Sequence, residues 1–442
     1  MWIHTLDAFG TVNTGLTARR SAANDNAAAP RDRDLDLRVA AALGTPWLGA
    51  ADTFPAPVKP GLSAGAQAAG LTFHAYARFA DVAAEWKTLQ RDAVAFPFQT
   101  VEWLSAWHQD VGRPRGIEPF LVLGRDAAGA VRIIFPLGIE RGMLTTRLVW
   151  LGHPTCDYNA PMVCPRTLDG ISVGDAHATW RAILLLAPDV DYAYLTKQPA
   201  VISTAKNPFH HVAAHASSAG AYAATLDTTW DAFYRSRRSG KARNKNARME
   251  KRLAAMGDLR FDCVEDPGER SALAAWVLDL KHRQLERTGA RNPFGASDIK
   301  RFFDRVTSNQ ELKLFRLTLD GEPLAAVLGL VRDGCFYYVV PVYDFGAHAR
   351  CSPGNTLLHK VMEWSIEQGL TRFDFTIGDE AYKRDWSDIV VPMSFTCLPA
   401  TLKGWLAAFA VTRAMAAKRW LKRHAFALKT ASSAIRLVQP RR

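Results

Sequence analysis

One order of secondary-structure elements can be read twice along this chain, and that repetition restricts the possible fold more than any other feature. In the first copy, two β-prone runs within 120–137 flank a turn at Asp126–Gly129, which is the pattern of a hairpin. The second copy has a hairpin over 315–330 with its turn at Asp320-Gly321. The two hairpins lie about 190 residues apart, and each is followed by a helical pattern and another strand. The sequence therefore predicts an α+β protein of two related units, each a mixed, mostly antiparallel sheet flanked by helices.

Composition divides the chain into four parts. Residues 1–68 are rich in small and polar residues and in proline, so we expect a disordered tail and linker there. Two domains of ordinary size, 69–222 and 223–400, follow, and a hydrophobic fraction of 48% over 442 residues is ample for their cores. Residues 401–442 are predicted to form a basic helical tail. That tail either packs on the core or lies on an anionic membrane surface.

The net charge and the spacing of the cysteine and histidine residues limit the kinds of partner and cofactor that we expect this chain to bind. With 55 Lys and Arg against 43 Asp and Glu, the net charge is +12, which suits a phosphorylated cofactor, a nucleic acid or an acidic membrane. None of the six cysteines forms a C-x-x-C pair, and the histidines at 210, 211 and 215 have no acidic or cysteine ligand spaced with them, so no metal site is predicted. No signal peptide and no membrane-spanning segment is recognisable, so we expect a cytoplasmic protein with, at most, peripheral membrane contact.

A strand, a loop and a helix in the second half form one candidate ligand site. The strand Cys335–Val340 leads through a loop into a helix that begins near Gly354. Free backbone N–H groups and the positive end of the helix dipole make such a helix start a binding site for anions. Arg350 would add a positive charge, and Ser352 or Thr356 a hydroxyl group. The alternative is an ordinary helix start that binds no ligand.

The next strand carries a second candidate cluster. Asp374 lies between two aromatic residues, so its carboxylate either pairs with a buried cation or lines a cleft. Asp379, Tyr382 and Lys383 follow the strand end, where sites in α/β proteins commonly lie. Asp374 and Asp379 are candidate catalytic bases, and Tyr382 is a candidate acid. Lys383 would bind an anionic group or stabilise an oxyanion.

These motifs, taken together, resemble those of the GNAT acetyltransferases that include the CelD-like proteins of cellulose biosynthesis. That family is similar in turn to the Fem-type aminoacyltransferases, which have tandem GNAT units. The resemblance covers roughly residues 70–400. The residues that carry it are Ser352–Asn355, Glu367–Phe375 and Gly378–Lys383 in the second half, and Pro97–Thr100, Trp103, Trp107, Gly152 and Asp157-Tyr158 in the first.

The resemblance implies where the substrates bind. In GNAT folds the loop after the fourth strand holds the acyl-CoA pyrophosphate, and the acyl group lies where the fourth and fifth strands separate. Those positions correspond to Arg350–Thr356 and to Val339–Pro341 facing Phe373–Phe375. Acetyl-CoA or another acyl-CoA would act as co-substrate, with no permanently bound cofactor. The residues implied in its binding are Val339, Val340, Arg350, Ser352, Gly354, Asn355 and Thr356.

Three functions remain open at this point. The first is an acyl-CoA-dependent N-acyltransferase with an amine acceptor, such as a sugar precursor in polysaccharide or envelope biosynthesis, with Asp157 and Tyr158 as substrate contacts. The second is a Fem-type aminoacyltransferase that uses charged tRNA. For it, the run 235–252 offers nine cations against one acid, with Arg237 and Arg238 as contacts, unless that run is only a solvated helix face. The third is a non-catalytic accessory protein of exopolysaccharide synthesis at the membrane surface.

Overall fold

The chain is described by a computed structural model over residues 66–420, except 188, 213, 218, 290, 291 and 418. The predicted N-terminal tail therefore lies outside the described residues up to position 65. The same holds for residues 421–442 of the predicted C-terminal tail.

The first half of the chain supplies eleven strands and four α-helices to the described structure. The helices are α1 (Ala83–Gln90), α2 (Val101–Trp107), α3 (Pro165–Gly170) and α4 (Val173–Leu185). The strands are β1 (Ala66–Ala68), β2 (Leu71–Tyr76), β3 (Ile117–Arg125), β4 (Val131–Arg141), β5 (Thr146–Trp150), β6 (Met162–Val163), β7 (Tyr192–Pro199), β8 (Val201–Ile202), β9 (Ala205–Lys206), β10 (Ala214–Ala216) and β11 (Ala221–Thr225).

The second half continues with longer helices and a long meander of strands. Its helices are α5 (Trp230–Arg237), α6 (Gly240–Ala254), α7 (Pro267–Thr288), α8 (Ser297–Val306), α9 (Pro353–Glu367), α10 (Ala381–Trp386) and α11 (402–417). Its strands are β12 (Leu259–Cys263), β13 (Leu312–Leu319), β14 (Glu322–Arg332), β15 (Cys335–Tyr343), β16 (Arg372–Ile377), β17 (Ile389–Val391) and β18 (Met393–Pro399).

The strands form two large sheets with the same topology. In the first, β2, β3, β4 and β5 are an antiparallel meander, α4 crosses over, and β7 returns parallel to β5. In the second, β12 to β15 are the meander, α9 crosses over, and β16 returns parallel to β15. The α+β class with two mixed, mostly antiparallel sheets flanked by helices, predicted from the sequence, is confirmed.

The two sheets exchange their next strand. β11 follows the first half but pairs antiparallel with β16 in the second sheet, and β18 follows the second half but pairs antiparallel with β7 in the first sheet. The boundary predicted between residues 222 and 223 therefore falls inside β11. The strand Met393–Pro399, expected in the second domain, lies in the first sheet. Alternating apolar residues specify a strand but not the sheet that it joins, which is why the sequence pattern could not assign these two strands.

Apolar periodicity accounts for the packing between the units. In α8, Ile299, Phe302, Phe303 and Val306 recur on one face and are all buried. The ring of Trp103 from α2 meets Phe302 edge-on, with centroids 4.9 Å apart. One hydrophobic core therefore continues from the first unit into the second.

Helix α11 docks on the first sheet through its Ala408 and Val411 side, against Tyr192 and Cys397. A Cβ at position 404 would lie 1.7 Å from the carbonyl oxygen of Asp191, so only glycine permits this close approach. Within the described residues, no helix is both long enough and apolar enough to span a bilayer.

Candidate active site

Strands β15 and β16 pair over only three residues and then separate. Cys335–Tyr337 face Arg372–Asp374, and beyond them β15 continues to Tyr343 and β16 to Ile377 without pairing to each other. A bulge at Val339 in the β14–β15 ladder adds to the divergence, because the register shifts by one residue there. The result is a V-shaped opening, here called the second-unit cleft, between 338–343 and 375–377.

Asp374 helps to turn β16 away from β15. Its Oδ1 accepts the backbone N–H of Thr376 over 2.8 Å, and Thr376 has a φ of 61°, which ends the extended conformation. The bend and the end of strand pairing coincide. The hydrogen bond from Thr376 to Asp374 therefore lies where β16 diverges from β15.

Both carboxylate oxygens of Asp374 face partners. Oδ1 also accepts a hydrogen bond from the hydroxyl of Tyr158 over 2.7 Å, and Oδ2 lies 3.6 Å from the Arg372 guanidinium. Burial raises the pKa of Asp374, while Arg372 and the hydroxyl of Tyr158 oppose that rise. Since the side chain is 2% exposed, this geometry favours the structural ion pair over a catalytic base.

The equivalent opening in the first unit is filled by its own chain. Strands β5 and β7 pair only at Arg147–Leu148 with Tyr192–Ala193. Beyond that point the segment 151–163 lies against β7, where Asn159 donates its backbone N–H to the carbonyl of Lys197 over 2.9 Å. The Asn159 side chain donates to the carbonyl of Thr196 over 3.0 Å. This segment carries Tyr158 to Asp374, so the contents of the first cleft support the shape of the second.

Lys281, Lys383 and Glu380 lie beside the second-unit cleft. Nζ of Lys281, on α7, lies 3.4 Å from the carbonyl oxygen of Pro341, in the part of β15 that does not pair with β16. Nζ of Lys383 donates to the carbonyl of Ile377 over 2.9 Å and lies 3.1 Å from Glu380. Burial lowers the pKa of Lys281, and Glu380 opposes that shift while Lys383 adds to it. An amine that loses its proton more readily than an ordinary lysine therefore borders the cleft.

The start of α9 lies at the mouth of the same cleft. A short 3-10 helix, Ala347–Cys351, precedes it, and Ser352 has a left-handed φ of 54°. A Cβ at Gly354 would lie 3.0 Å from the Tyr343 ring, so the missing side chain lets the helix start approach β15. Of the residues implied in donor binding, Val340 and Thr356 are buried, Val339, Ser352 and Gly354 are half-buried, and Arg350 and Asn355 are exposed.

The other predicted catalytic residues lie around the end of β16. Asp379 is exposed and accepts the N–H of Gly220 over 3.3 Å. Tyr382 packs edge-on against Phe375, and burial raises its pKa well above the usual value, so its hydroxyl keeps its proton. Asp157 is at the first unit's side, 3.3 Å from Nζ of Lys197, which also donates to the carbonyl of Cys156.

The two arginines proposed as substrate contacts are paired within their own unit. Arg237 lies 2.7 Å from Asp388, and Arg238 lies 2.7 Å from Asp385, with its guanidinium 5.4 Å from the centre of the Trp386 ring. The charges of the following helix, α6, are less balanced, because five of its cationic side chains are exposed and its sequence contains one acid, Glu250. These are Lys241, Lys245, Arg248, Lys251 and Arg252.

Sequence reasoning missed Lys281 and Arg372. Lys281 reaches β15 from a helix 60 residues earlier in the chain, and no local pattern marks that contact. Arg372 could have been predicted as a partner of Asp374, because it precedes Asp374 by two positions on one strand and the two side chains therefore share a face.

Comparisons with known proteins agree with this arrangement. Residues 240–384 match the family model described as an acetyltransferase (GNAT) domain. The match covers the basic helix α6, the second-unit cleft and the start of α9. No curated protein sequence matches the chain significantly.

The fold is similar to that of FemX, whose crystal structure shares 11% sequence identity with a TM-score of 0.50 over 77% of this chain and 99% of that one. L-PGS from Bacillus licheniformis is a more distant match, with 12% identity and a TM-score of 0.45 over 70% of this chain and 95% of that one. A tandem GNAT protein from the clavulanic acid biosynthesis pathway has 15% identity and a TM-score of 0.39 over 75% of this chain and 98% of that one. The predicted fold of two GNAT-like units is confirmed by the family match and the repeated topology. The closer resemblance to CelD-like proteins stays a prediction.

Tyr158→Phe should destabilise the protein by about 1–3 kcal/mol at neutral pH, because the buried carboxylate of Asp374 loses a donor. The folded-state pKa of Asp374 is already raised, so folding stability falls as the pH rises from the unfolded-state pKa, about 4, toward the folded-state pKa, and it stays constant above that value. Losing the hydroxyl raises the pKa further. The difference from the wild type should therefore be largest at neutral pH and shrink as the pH falls toward about 4.

Urea unfolding of both proteins across this pH range measures the effect. Tyr194→Phe is the matched control, since Tyr194 packs through its ring against Arg147. A Tyr158→Phe penalty that stays constant with pH would show that the hydroxyl does not act through the Asp374 carboxylate.

Proposed function

We propose that the protein is an N-acyltransferase that takes its acyl group from acyl-CoA in the second-unit cleft. The observation that carries this proposal is the separation of β15 and β16 beside the start of α9, within the segment that matches the GNAT domain. Beyond Tyr337 the edge of β15 that faces β16 is unpaired, so it can offer backbone groups to an acyl-pantetheine chain, and a helix start suits the pyrophosphate of CoA. The resemblance to polysaccharide-biosynthesis proteins suggests an amine-bearing sugar precursor as the acceptor.

The reaction forms one amide bond and breaks one thioester bond. The neutral acceptor amine attacks the thioester carbonyl, loses a proton, and the CoA thiolate leaves and takes up a proton. We assign the first proton transfer to Lys281, because its lowered pKa makes its neutral amine more accessible than that of an ordinary lysine. Tyr382 keeps its proton, so its hydroxyl can donate a hydrogen bond to the leaving thiolate, which then takes up its proton from water. Lys383, held between Glu380 and the carbonyl of Ile377, supplies positive charge for the oxyanion or for an anionic acceptor group.

Lys281→Met should lower kcat/KM by roughly 10²–10⁴-fold, which is the usual contribution of a general base. Its effect on acetyl-CoA affinity should be small, since the amine would act on the acceptor. The wild-type rate should rise with pH through the lowered pKa of Lys281, and the variant should lose that dependence. Thiol release from acetyl-CoA with a panel of amino sugars, together with calorimetric titration of acetyl-CoA, measures both quantities.

Lys300→Met on the neighbouring helix α8 is the control, because Lys300 is exposed. If acetyl-CoA and longer acyl-CoAs fail to bind the wild-type protein, the proposed donor is wrong. If Lys281→Met retains the full rate and pH profile, the donor stands and the assigned base is wrong.

A second candidate is aminoacyl transfer from charged tRNA, and the exposed basic face of α6 favours it. Leu253 of α6 shares an apolar cluster with Cys351, the last residue of the 3-10 helix before α9. A polyanion bound along α6 would therefore end near the mouth of the second-unit cleft. The same face also suits the phosphates of CoA. The two candidate functions therefore differ in the length of the anion that binds along α6, which is short for CoA and long for tRNA.

For the tRNA function, Lys241→Gln/Lys245→Gln/Arg248→Gln should weaken tRNA binding and flatten its salt dependence by roughly 0.9 in logarithmic slope per lost phosphate contact. Filter binding over a range of salt concentrations measures this slope. Asn244→Gln/Ala247→Gln on the same helix is the charge-preserving control. tRNA binding that is equally weak in wild type and triple variant would exclude α6 as its site.

A further inference from the structure

Exposed apolar side chains are concentrated in two segments of the first unit. Ten large hydrophobic residues are exposed in the part of the chain that the structure describes, and six of them lie in the β4–β5 turn, in α11 or, for Trp420, shortly after α11. Such clustering marks an interaction surface, whereas scattered single residues do not. The six are Met143, Leu144, Leu402, Leu406, Phe409 and Trp420.

Helix α11 is apolar on two opposite sides. Its inner side packs Ala408 and Val411 against the first sheet. Leu402, Leu406 and Phe409 follow at helical spacing on the outer side and are 74%, 60% and 45% exposed. These three side chains are not part of the apolar cluster through which α11 docks on the first sheet.

One carboxylate holds the turn and the helix together. Oδ2 of Asp191 accepts the backbone N–H of Thr146, which ends the β4–β5 turn, over 2.8 Å. Oδ1 accepts the hydroxyl of Thr401 over 2.9 Å, and Lys403 lies 3.1 Å from the same carboxylate. Asp191 therefore links the start of β5 to the start of α11. We call the exposed apolar residues next to these two points, Met143-Leu144 and the outer stripe of α11, the apolar rim.

The charges around the apolar rim are positive. From Leu402 to Trp420 the sequence has four Lys and Arg residues and no Asp or Glu; the next 22 residues, which lie outside the described structure, have six more and again no acid. The acids near the turn are neutralised, since Glu140 pairs with Arg147 over 2.8 Å and Glu118 with Arg141 over 3.3 Å. Apolar side chains with basic residues beside them are typical of segments that lie in the interface of an anionic membrane.

We propose that the apolar rim docks this protein on an anionic lipid bilayer, with Met143, Leu144 and the outer stripe of α11 among the headgroups. This docking is independent of the acyl-transfer chemistry. A bilayer fits better than a second copy of the chain, because the net charge of +12 opposes self-association through a basic surface. A protruding turn with a fully exposed Met143 also suits a soft headgroup layer better than a flat protein face.

Vesicle flotation of the full chain tests this surface. The wild type should float with vesicles that contain roughly 30% phosphatidylglycerol, remain behind with pure phosphatidylcholine, and dissociate in high salt. Leu402→Ser/Leu406→Ser/Phe409→Ser and Met143→Ser/Leu144→Ser should each weaken partitioning by roughly tenfold or more. Val173→Ser/Met256→Ser is the control, because these side chains are exposed to a similar degree, 49% and 48%, outside the apolar rim.

The outcomes are distinct. Loss of flotation in both rim variants, with the control and all thermal unfolding curves unchanged, supports the proposal. Failure of the wild type to float overturns it, as does equal flotation of the wild type and the rim variants. A wild-type dimer in sedimentation equilibrium that the triple variant dissociates would assign the rim to a second copy and would also overturn it.

Discussion

The exchange of β11 and β18 between the two sheets is the constraint on which the rest of the structure depends. Each sheet is completed by a strand from the other half of the chain, so neither ladder of hydrogen bonds is whole without both halves. The exchange brings the segment after β7 into the second sheet and returns the chain end to the first. It thereby ties the two GNAT-like units together, and α11, which follows β18, docks on the first sheet.

Within that frame, two copies of one topology have acquired different roles. The first unit fills its own opening with the segment 151–163, and that segment delivers Tyr158 to the buried Asp374 of the second unit. Asp374 in turn bends β16 through the N–H of Thr376 and leaves the second-unit cleft open. The first unit therefore works as a support, and the chemistry we propose belongs to the second.

Much of the fold follows from local sequence, and much of the candidate site does not. Turn residues and alternating apolar residues predicted the hairpin within each meander, although β5 of the first meander was not predicted, and Gly369, with a φ of 70°, follows the end of α9. The partner strands of β11 and β18 could not be read, because strand pairing over such distances is decided by the whole core. Lys281 could not be predicted as a site residue for a similar reason, because its contact with Pro341 exists only once α7 packs on β15. For Asp374 the sequence left two roles open, and the Tyr158 hydroxyl favours the structural one.

Backbone hydrogen exchange with and without acetyl-CoA is the most direct test of a donor site confined to the second-unit cleft. Bound donor should slow exchange at 338–343 and at the start of α9, since those N–H groups would gain partners or be covered. The corresponding first-unit strands β5 and β7 should exchange at unchanged rates. Protection in the first unit, or protection along α6 alone with no change at 338–343, would contradict the assignment of the acyl donor to this cleft.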